Sequence, residues 1–242
     1  MSMETDIRKE LLGIALKKPL HLGGCFSAIE TLTTLYFKIL EADPKNPLDP
    51  NRDRFILSKG HAAYALYAVL KRRGYPIGDY SDMCHHPEIC PEKGIEATTG
   101  ALGHGLSIGC GMALAAKRKG LSYKVYVLLG DGECQEGSVW EAARFADEHE
   151  LNNLVAIRDR NGYQALGPCE DVPVINGFRW YYDLAVGRDD FTRKAKEKNP
   201  CPTWIDLVTV KGFGVSFMEN QPLWHFRGVT QSEYDQAMKE LN

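Results

Sequence analysis

Three features of the sequence predict an α/β fold, a mostly parallel sheet with helices on both faces. Val125-Tyr126-Val127-Leu128-Leu129 is a continuous apolar run, the pattern of a parallel strand buried on both sides. Leu154-Val155-Ala156-Ile157 and the later run Thr203 to Val210 repeat it, with segments of helical periodicity between. Gly130-Asp131-Gly132 directly follows the first run, where open sheets carry their ligand-binding loops.

The elements follow in order. Residues Met1 to Glu10 hold no apolar core of signal-peptide type, so a cytoplasmic location is expected. Ser27-Ala28-Ile29-Glu30 has the form of a capping box and predicts a helix through Ile29, Leu32, Leu35, Tyr36 and Ile39. The prolines between Asp43 and Pro50 end it. Arg54 to Leu57 reads as a short strand, and Ala62 to Arg73 as a helix stopped by Gly74. Tyr75 to Ala101, rich in proline and histidine, reads as irregular.

The next helix, about Gly105 to Lys119, carries Gly105, Gly109 and Gly111 among small residues. Each helical glycine costs nearly 1 kcal/mol relative to alanine, so this composition predicts close backbone packing. An amphipathic helix follows through Val139, Trp140, Ala143 and Ala146. Short helices are expected in Val174 to Trp180 and Phe191 to Lys198. Thr230-x-x-Glu233 is a second capping box, opening a helix from Glu233 to Leu241. No domain boundary is visible, so residues 1–242 are read as one domain.

Composition narrows the function classes. A chain of 242 residues buries roughly 70% or more of its unfolded surface and can support its own core. The 29 Lys and Arg against 32 Asp and Glu leave a net charge of −3, with no basic excess to track nucleic acid. The longest apolar run is far short of the ~18 residues a membrane helix needs. Seven cysteines, none spaced as C-x-x-C, read as reduced thiols. Pro87, Pro91 and the lack of a second ligand pair weigh against a zinc knot at Cys84-His85-His86 and Cys90.

The chemistry is expected at the strand ends. Asn161 follows Asp131 by thirty residues, one helix crossover, so the two should sit on adjacent strand ends. A carboxylate, an amide oxygen and a nearby backbone carbonyl form a hard oxygen half-shell suited to Mg²⁺. The glycines beside Asp131 let backbone N–H groups approach an anion. Competing phosphate motifs fail: G-x-x-x-x-G-K-[ST] is absent, and Gly103-x-Gly105 is followed by glycine at 109 instead of 108.

Gly130-Asp131-Gly132 with Asn161 resembles the thiamine-diphosphate motif, and the remaining motifs resemble the transketolase family. They are His21-Leu22-Gly23-Gly24, Leu57-Ser58-Lys59-Gly60-His61-Ala62, His86-Pro87-Glu88 and Thr99-Gly100-Ala101-Leu102-Gly103-His104-Gly105. Gln135-Glu136-Gly137 with Trp140-Glu141-Ala142, the run Lys211 to Asn220, and Trp224-His225 complete the set, in family order.

The resemblance implies a thiamine-diphosphate-binding fold and that cofactor with Mg²⁺, for which Ca²⁺ or Mn²⁺ would substitute. It implies that Asp131, Asn161 and the carbonyl of Tyr163 hold the metal. His61, Gly130, Gly132 and His225 would contact the diphosphate or reacting centre, and Gly100, Ala101 and Leu102 the thiamine rings. His21, His86 and His225 would line the substrate channel, and His61 would join them in catalysis. Glu136 would belong to an acidic network between two cofactor sites. His21, His61, His86, His104 and His225 do fall in Gly- or Pro-flanked loops, and imidazole titrates near neutrality, as proton transfer requires. His85 and His104 are read as hydrogen-bonding spacers.

Departures from the family pattern are Leu166 in place of an aspartate before Gly167, Phe226 in place of the glycine after Trp224-His225, and a short stretch from Pro168 to Lys198. The chain ends just after the region that resembles the diphosphate-binding domain. The expectation is therefore the N-terminal subunit of a split, α₂β₂ transketolase-like enzyme acting on sugars. A separate chain would supply the pyrimidine-binding domain and its catalytic glutamate. Acyloin or other two-carbon transfer, a non-catalytic scaffolding role, and a plain Mg²⁺-dependent phosphate-binding module are the competing expectations.

Overall fold

The computed structural model describes residues 2–170 and 177–242. Five parallel strands form one sheet in the order β1-β2-β3-β5-β4. They are β1 (Arg54–Leu57), β2 (Val125–Gly130), β3 (Leu154–Arg160), β4 (Tyr181–Val186) and β5 (Thr203–Val208). The helices are α1 (Met3–Ala15), α2 (Leu22–Thr34), α3 (Ala63–Arg73), α4 (His104–Lys119), α5 (Gly137–Glu148), α6 (Arg188–Lys196) and α7 (Gln231–Glu240).

Strand alternation divides the core into two layers. Phe55, Leu57, Tyr126, Leu128, Val155, Ile157, Ile205 and Leu207 face one layer, with the buried sides of α1, α2, α3, α6 and α7. Ile56, Val125, Val127, Leu129, Leu154, Ala156 and Trp204 face the other, with α4 and α5. This two-sided burial is why β2 reads as an unbroken apolar run. The expected α/β fold with helices on both faces is what forms.

The close packing expected of the glycine-bearing helix is explicit in α4. A Cβ added at Gly105 would collide with the Ser58 side chain and lie 2.8 Å from its Cα, and one at Gly109 would lie 2.6 Å from Val127 Cγ2. Gly111, by contrast, has nothing within 4 Å. The Thr230–Glu233 capping box forms in full and starts α7, and Gly74 ends α3 in the left-handed conformation.

Other local expectations change. Ser27 caps nothing: α2 begins at Leu22, and the Ser27 hydroxyl, within the helix, donates to Gly24 O at 3.2 Å and to Asp159 Oδ2 at 2.7 Å. A side-chain partner brought in by β3 replaces the local one. Residues 35–39 form a π turn. Helix α1, capped by Ser2, and the edge strand β4 have no counterpart in the sequence reading. Of the expected helix from Val174 to Trp180, residues 174–176 lie outside the described residues and 177–180 are not helical. Among the described residues, no helix is long and apolar enough to cross a membrane.

Candidate active site

The carboxyl ends of β1, β2, β3 and β5 converge on one set of loops. After β1, Ser58-Lys59 leads into a 3-10 turn at Gly60–Ala62 that holds His61. After β2 comes Asp131 and a 3-10 turn at Gly132–Gln135. Gly130 pairs with Asp159 in the β2–β3 register, which places Asp131 beside the start of the Asn161 loop. Asp131 Oδ2 accepts from Gly162 N at 2.7 Å, closing one loop on the other. Asp131, Asn161 and Gly162 line a single cavity together with Thr209.

Glu133 welds three of these loops. Its Oε1 accepts from Ser58 Oγ at 2.5 Å and from Gly103 N at 2.9 Å, and its Oε2 from Gly130 N at 2.9 Å. Thr99 Oγ1 donates to Leu57 O at 2.7 Å and so pins the Gly100 loop to the end of β1. Gly100 adopts φ +131°, and a Cβ there would lie 2.7 Å from His86 Cδ2, so this close approach of loop and imidazole admits only glycine. Ala101 and Leu102 are exposed beyond it.

Four of the histidines named from the sequence come together. His21 occupies the N-cap position of α2 without a side-chain capping bond, His61 follows β1, His86 lies beside Gly100, and His225 ends a 3-10 turn at Pro222–His225. The His21 ring lies 5.7 Å from His61, 5.8 Å from His86 and 5.3 Å from His225, and His61 is 5.4 Å from His225. His85 joins them at 6.2 Å from His21. Its Nδ1 is buried and makes no hydrogen bond to protein. His104 is exposed at the start of α4, and Glu136 is exposed at the start of α5, outside the histidine cluster.

The electrostatics favour an anion beside the imidazoles and a cation at Asp131. Burial pushes His21 down to about 3, helped by His225, His86, His85 and Lys211. Burial, Lys59, His21 and His225 hold His61 well below the usual imidazole range. Burial, Lys211 and Lys59 lower His225. Lys211 is pushed down to about 8 by burial and by the Lys59 ammonium, against the pull of Asp159. His21 Nδ1 and His225 Nδ1 are buried without a protein partner. The buried Lys211 ammonium and the orphaned ring nitrogens are the complement of a diphosphate and of polar substrate groups.

At Asp131 the balance reverses. Burial raises its carboxyl, the Gly162 N–H and Arg158 oppose that, and Asp159 and Asp206 add to it. Arg158 bonds Asp206 at 2.5 and 2.9 Å but lies 3.7 Å from Asp131. A divalent cation on Asp131 and the Asn161 amide oxygen fits this donor set, whose ligands are all hard oxygens.

Lys59, Lys211, Glu133 and Asp159 were not singled out by sequence reasoning. The signal was weak: each sits inside a glycine-bearing strand-end segment whose other residues drew the attention.

A family profile described as "Transketolase, thiamine diphosphate binding domain" matches residues 14–241. The chain belongs to the transketolase family. It is 41% identical to one of the subunits of an apulose-4-phosphate transketolase of Phocaeicola vulgatus, covering 97% of this chain and 91% of that protein. It is 36% identical to "6-deoxy-6-sulfo-D-fructose transketolase subunit SqwG" of a Clostridium species, covering 91% of this chain and 88% of that one. Human transketolase is 35% identical over 91% of this chain, which spans only 38% of the human protein. Among solved structures, a Pichia stipitis transketolase mutant in complex with fructose-6-phosphate superposes with a TM-score of 0.86 at 26% identity. All of this transketolase-family chain is covered there, against 41% of the Pichia chain.

Proposed function

We propose that this chain is the diphosphate-binding half of a two-chain, thiamine-diphosphate-dependent transketolase, transferring a two-carbon ketol unit from a ketose phosphate to an aldehyde. The observation that carries this reading is the clustering of the His21, His61, His86 and His225 rings about the turn after β1, on the sheet whose next strand ends carry the Asp131 and Asn161 loops. The relatives whose names call them transketolase subunits, which this chain matches over about nine tenths of their length, support the split architecture.

When bound, thiamine diphosphate supplies the carbon nucleophile and electron sink that C–C cleavage beside a carbonyl needs. Asp131, Asn161 and the Tyr163 carbonyl would hold Mg²⁺ on its diphosphate. Gly130, Gly132, His61 and Lys211 would face the phosphate oxygens. Gly100, Ala101 and Leu102 would lie against the thiamine rings. His21 and His225, which burial and nearby cations shift towards the neutral form, can accept as well as donate hydrogen bonds, and the His86 ring lies 5.8 Å from that of His21. They would orient sugar hydroxyls and move the proton released or taken up at the reacting carbonyl. Glu136, exposed and away from the imidazoles, suits the expected contact with a second cofactor site. The partner chain, in an α₂β₂ assembly in the cytoplasm, would bring the pyrimidine-binding domain and its catalytic glutamate.

The test is ketol transfer with Mg²⁺ and thiamine diphosphate by the chain alone and after assembly with its partner. Activity in the complex only is expected. Substantial turnover by the isolated chain would overturn the two-chain reading.

A further inference from the structure

Lys211 and His225 reach the site on one turn-rich segment, residues 211–225, whose one regular element is the 3-10 turn at Pro222–His225. Within it Asn220 N donates to Lys211 O at 2.9 Å, Gly214 N to Glu219 Oε1 at 2.9 Å and Trp224 Nε1 to Phe217 O at 3.1 Å. These bonds hold the segment to itself. Gly212 N, donating to Gly23 O at 3.0 Å, fastens it to α2.

Arg8 of α1 makes a second fastening. Its Nε donates to Phe213 O at 2.7 Å, and its Nη2 to both carboxylate oxygens of Glu30 at 2.7 Å and to Phe26 O at 3.4 Å. The guanidinium lies 5.2 Å from the Phe213 ring centroid and 5.7 Å from that of Phe26, and the side chain is buried. Gly214 has φ +94°, and a Cβ there would lie 2.8 Å from Arg8 Nε, so glycine is what lets the segment come this close. Phe26 and Glu30 belong to α2, whose N-cap position is His21. One planar fork therefore joins the helix that presents His21 to the segment that presents Lys211, two residues from the carbonyl it holds. A lysine ammonium has no rigid fork to serve these partners at once.

We propose that Arg8 is a positioning residue for the cofactor site: it clamps the 211–225 segment onto α2 and so sets where the Lys211 ammonium stands. This rests on the transketolase reading above and deepens it, giving α1 a share in the binding of the diphosphate. Arg8 acts through the carbonyl of Phe213, not by touching the phosphate. Lys211 Nζ donates to Gln164 O at 3.1 Å, and its Cε would lie 3.2 Å from a Cβ at Gly23. The ammonium thus sits between α2 and the loop after β3, and a shift of its backbone moves it with the segment.

The experiment uses the assembled two-chain enzyme, with thiamine diphosphate and Mg²⁺ as the probe and calorimetric affinity as the first readout. Arg8→Lys, which keeps a charge beside Glu30, is expected to weaken binding about tenfold. In a Lys211→Met background the same change should weaken it less than about twofold, because the ammonium it positions is gone. Gly214→Ala pushes the segment off Arg8 without altering any charge and should behave alike, which covers a lysine variant that folds poorly. Hydrogen exchange without cofactor is the second readout. Amides of residues 211–220 should exchange about tenfold faster in either variant, with β2 and β3 unchanged. Unchanged affinity in folded variants, equal losses in the two Lys211 backgrounds, or unchanged exchange in residues 211–220 overturns the proposal. A wild-type complex that binds no thiamine diphosphate overturns the transketolase reading, and the proposal with it.

Discussion

The ammonium of Lys59 and the carboxylate of Asp159 form an ion pair in which neither side chain reaches solvent. Asp159 also accepts from the hydroxyls of Ser27 and Thr209, and Lys59 Nζ lies 3.1 Å from Ser27 Oγ. The pair therefore ties the end of β1, α2, β3 and the segment after β5 together.

Removing one partner of this pair leaves a buried charge uncompensated. Lys59→Met or Asp159→Asn should each cost about 3–5 kcal/mol of folding stability. The double variant Lys59→Met with Asp159→Asn should cost less than the two single changes added, because the partners act as a unit. Urea unfolding of the four proteins measures the coupling. Additive losses would mean that the pair is not coupled in solution.

Two glycines of the same helix should respond with opposite signs. Gly105→Ala drives a methyl group into Ser58 and should destabilise by about 1–3 kcal/mol despite the better helix propensity of alanine. Gly111→Ala meets nothing within 4 Å and should stabilise by about 0.5–1 kcal/mol. Thermal or urea midpoints decide it, and two changes of the same sign would contradict the close packing of α4 on Ser58.

Asp131 should separate binding from stability. Its carboxyl is raised by burial, so the charge is a burden on the cofactor-free fold, and Asp131→Asn keeps an oxygen for the Gly162 N–H. The variant should unfold at the same or higher urea concentration yet show no Mg²⁺-dependent binding of thiamine diphosphate by calorimetry. Stripping metal from the wild type with EDTA should likewise abolish cofactor binding, and Mg²⁺, Ca²⁺ or Mn²⁺ should each restore it.

Acid should weaken the fold through the imidazoles. His21 is held down to about 3, and His61 and His225 shift the same way, so below pH ~6.5 the unfolded chain takes up protons that the folded chain refuses. Stability contributed by these groups is complete above that pH and declines as pH falls through it towards the folded values. The raised carboxyls of Asp131 and Glu133 act in the opposite sense. The comparison is therefore between wild type and His21→Asn, whose urea midpoint should fall less steeply from pH 7 to pH 5. Parallel curves would show that His21 is not desolvated in the folded protein.

Local signals were legible where a residue's neighbours in sequence decide its state. Continuous apolar runs marked β2 and β3 because both faces of each strand are covered. The Thr230–Glu233 box marked the start of α7 because both of its hydrogen bonds close within four residues. Ser27 offered the same pattern and did not cap, since its hydroxyl is claimed by Asp159, 132 positions away. Edge strand β4 was not legible: Tyr181, Tyr182, Leu184 and Val186 stay exposed, so no burial pattern marks it as a sheet strand.

The fold class and the motif residues, from Asp131 and Asn161 to the glycine-flanked histidines, could be read from the chain alone, because short-range backbone rules and spacing leave their mark on composition. Which side chains share an environment came from the folded molecule. Lys59 with Asp159, Glu133 with Ser58 and Gly103, and Phe226 with His21 and His85 are each separated by tens to hundreds of residues. Their burial, charge compensation and ring contacts exist only after the strand ends have converged, and no local preference of the chain encodes them.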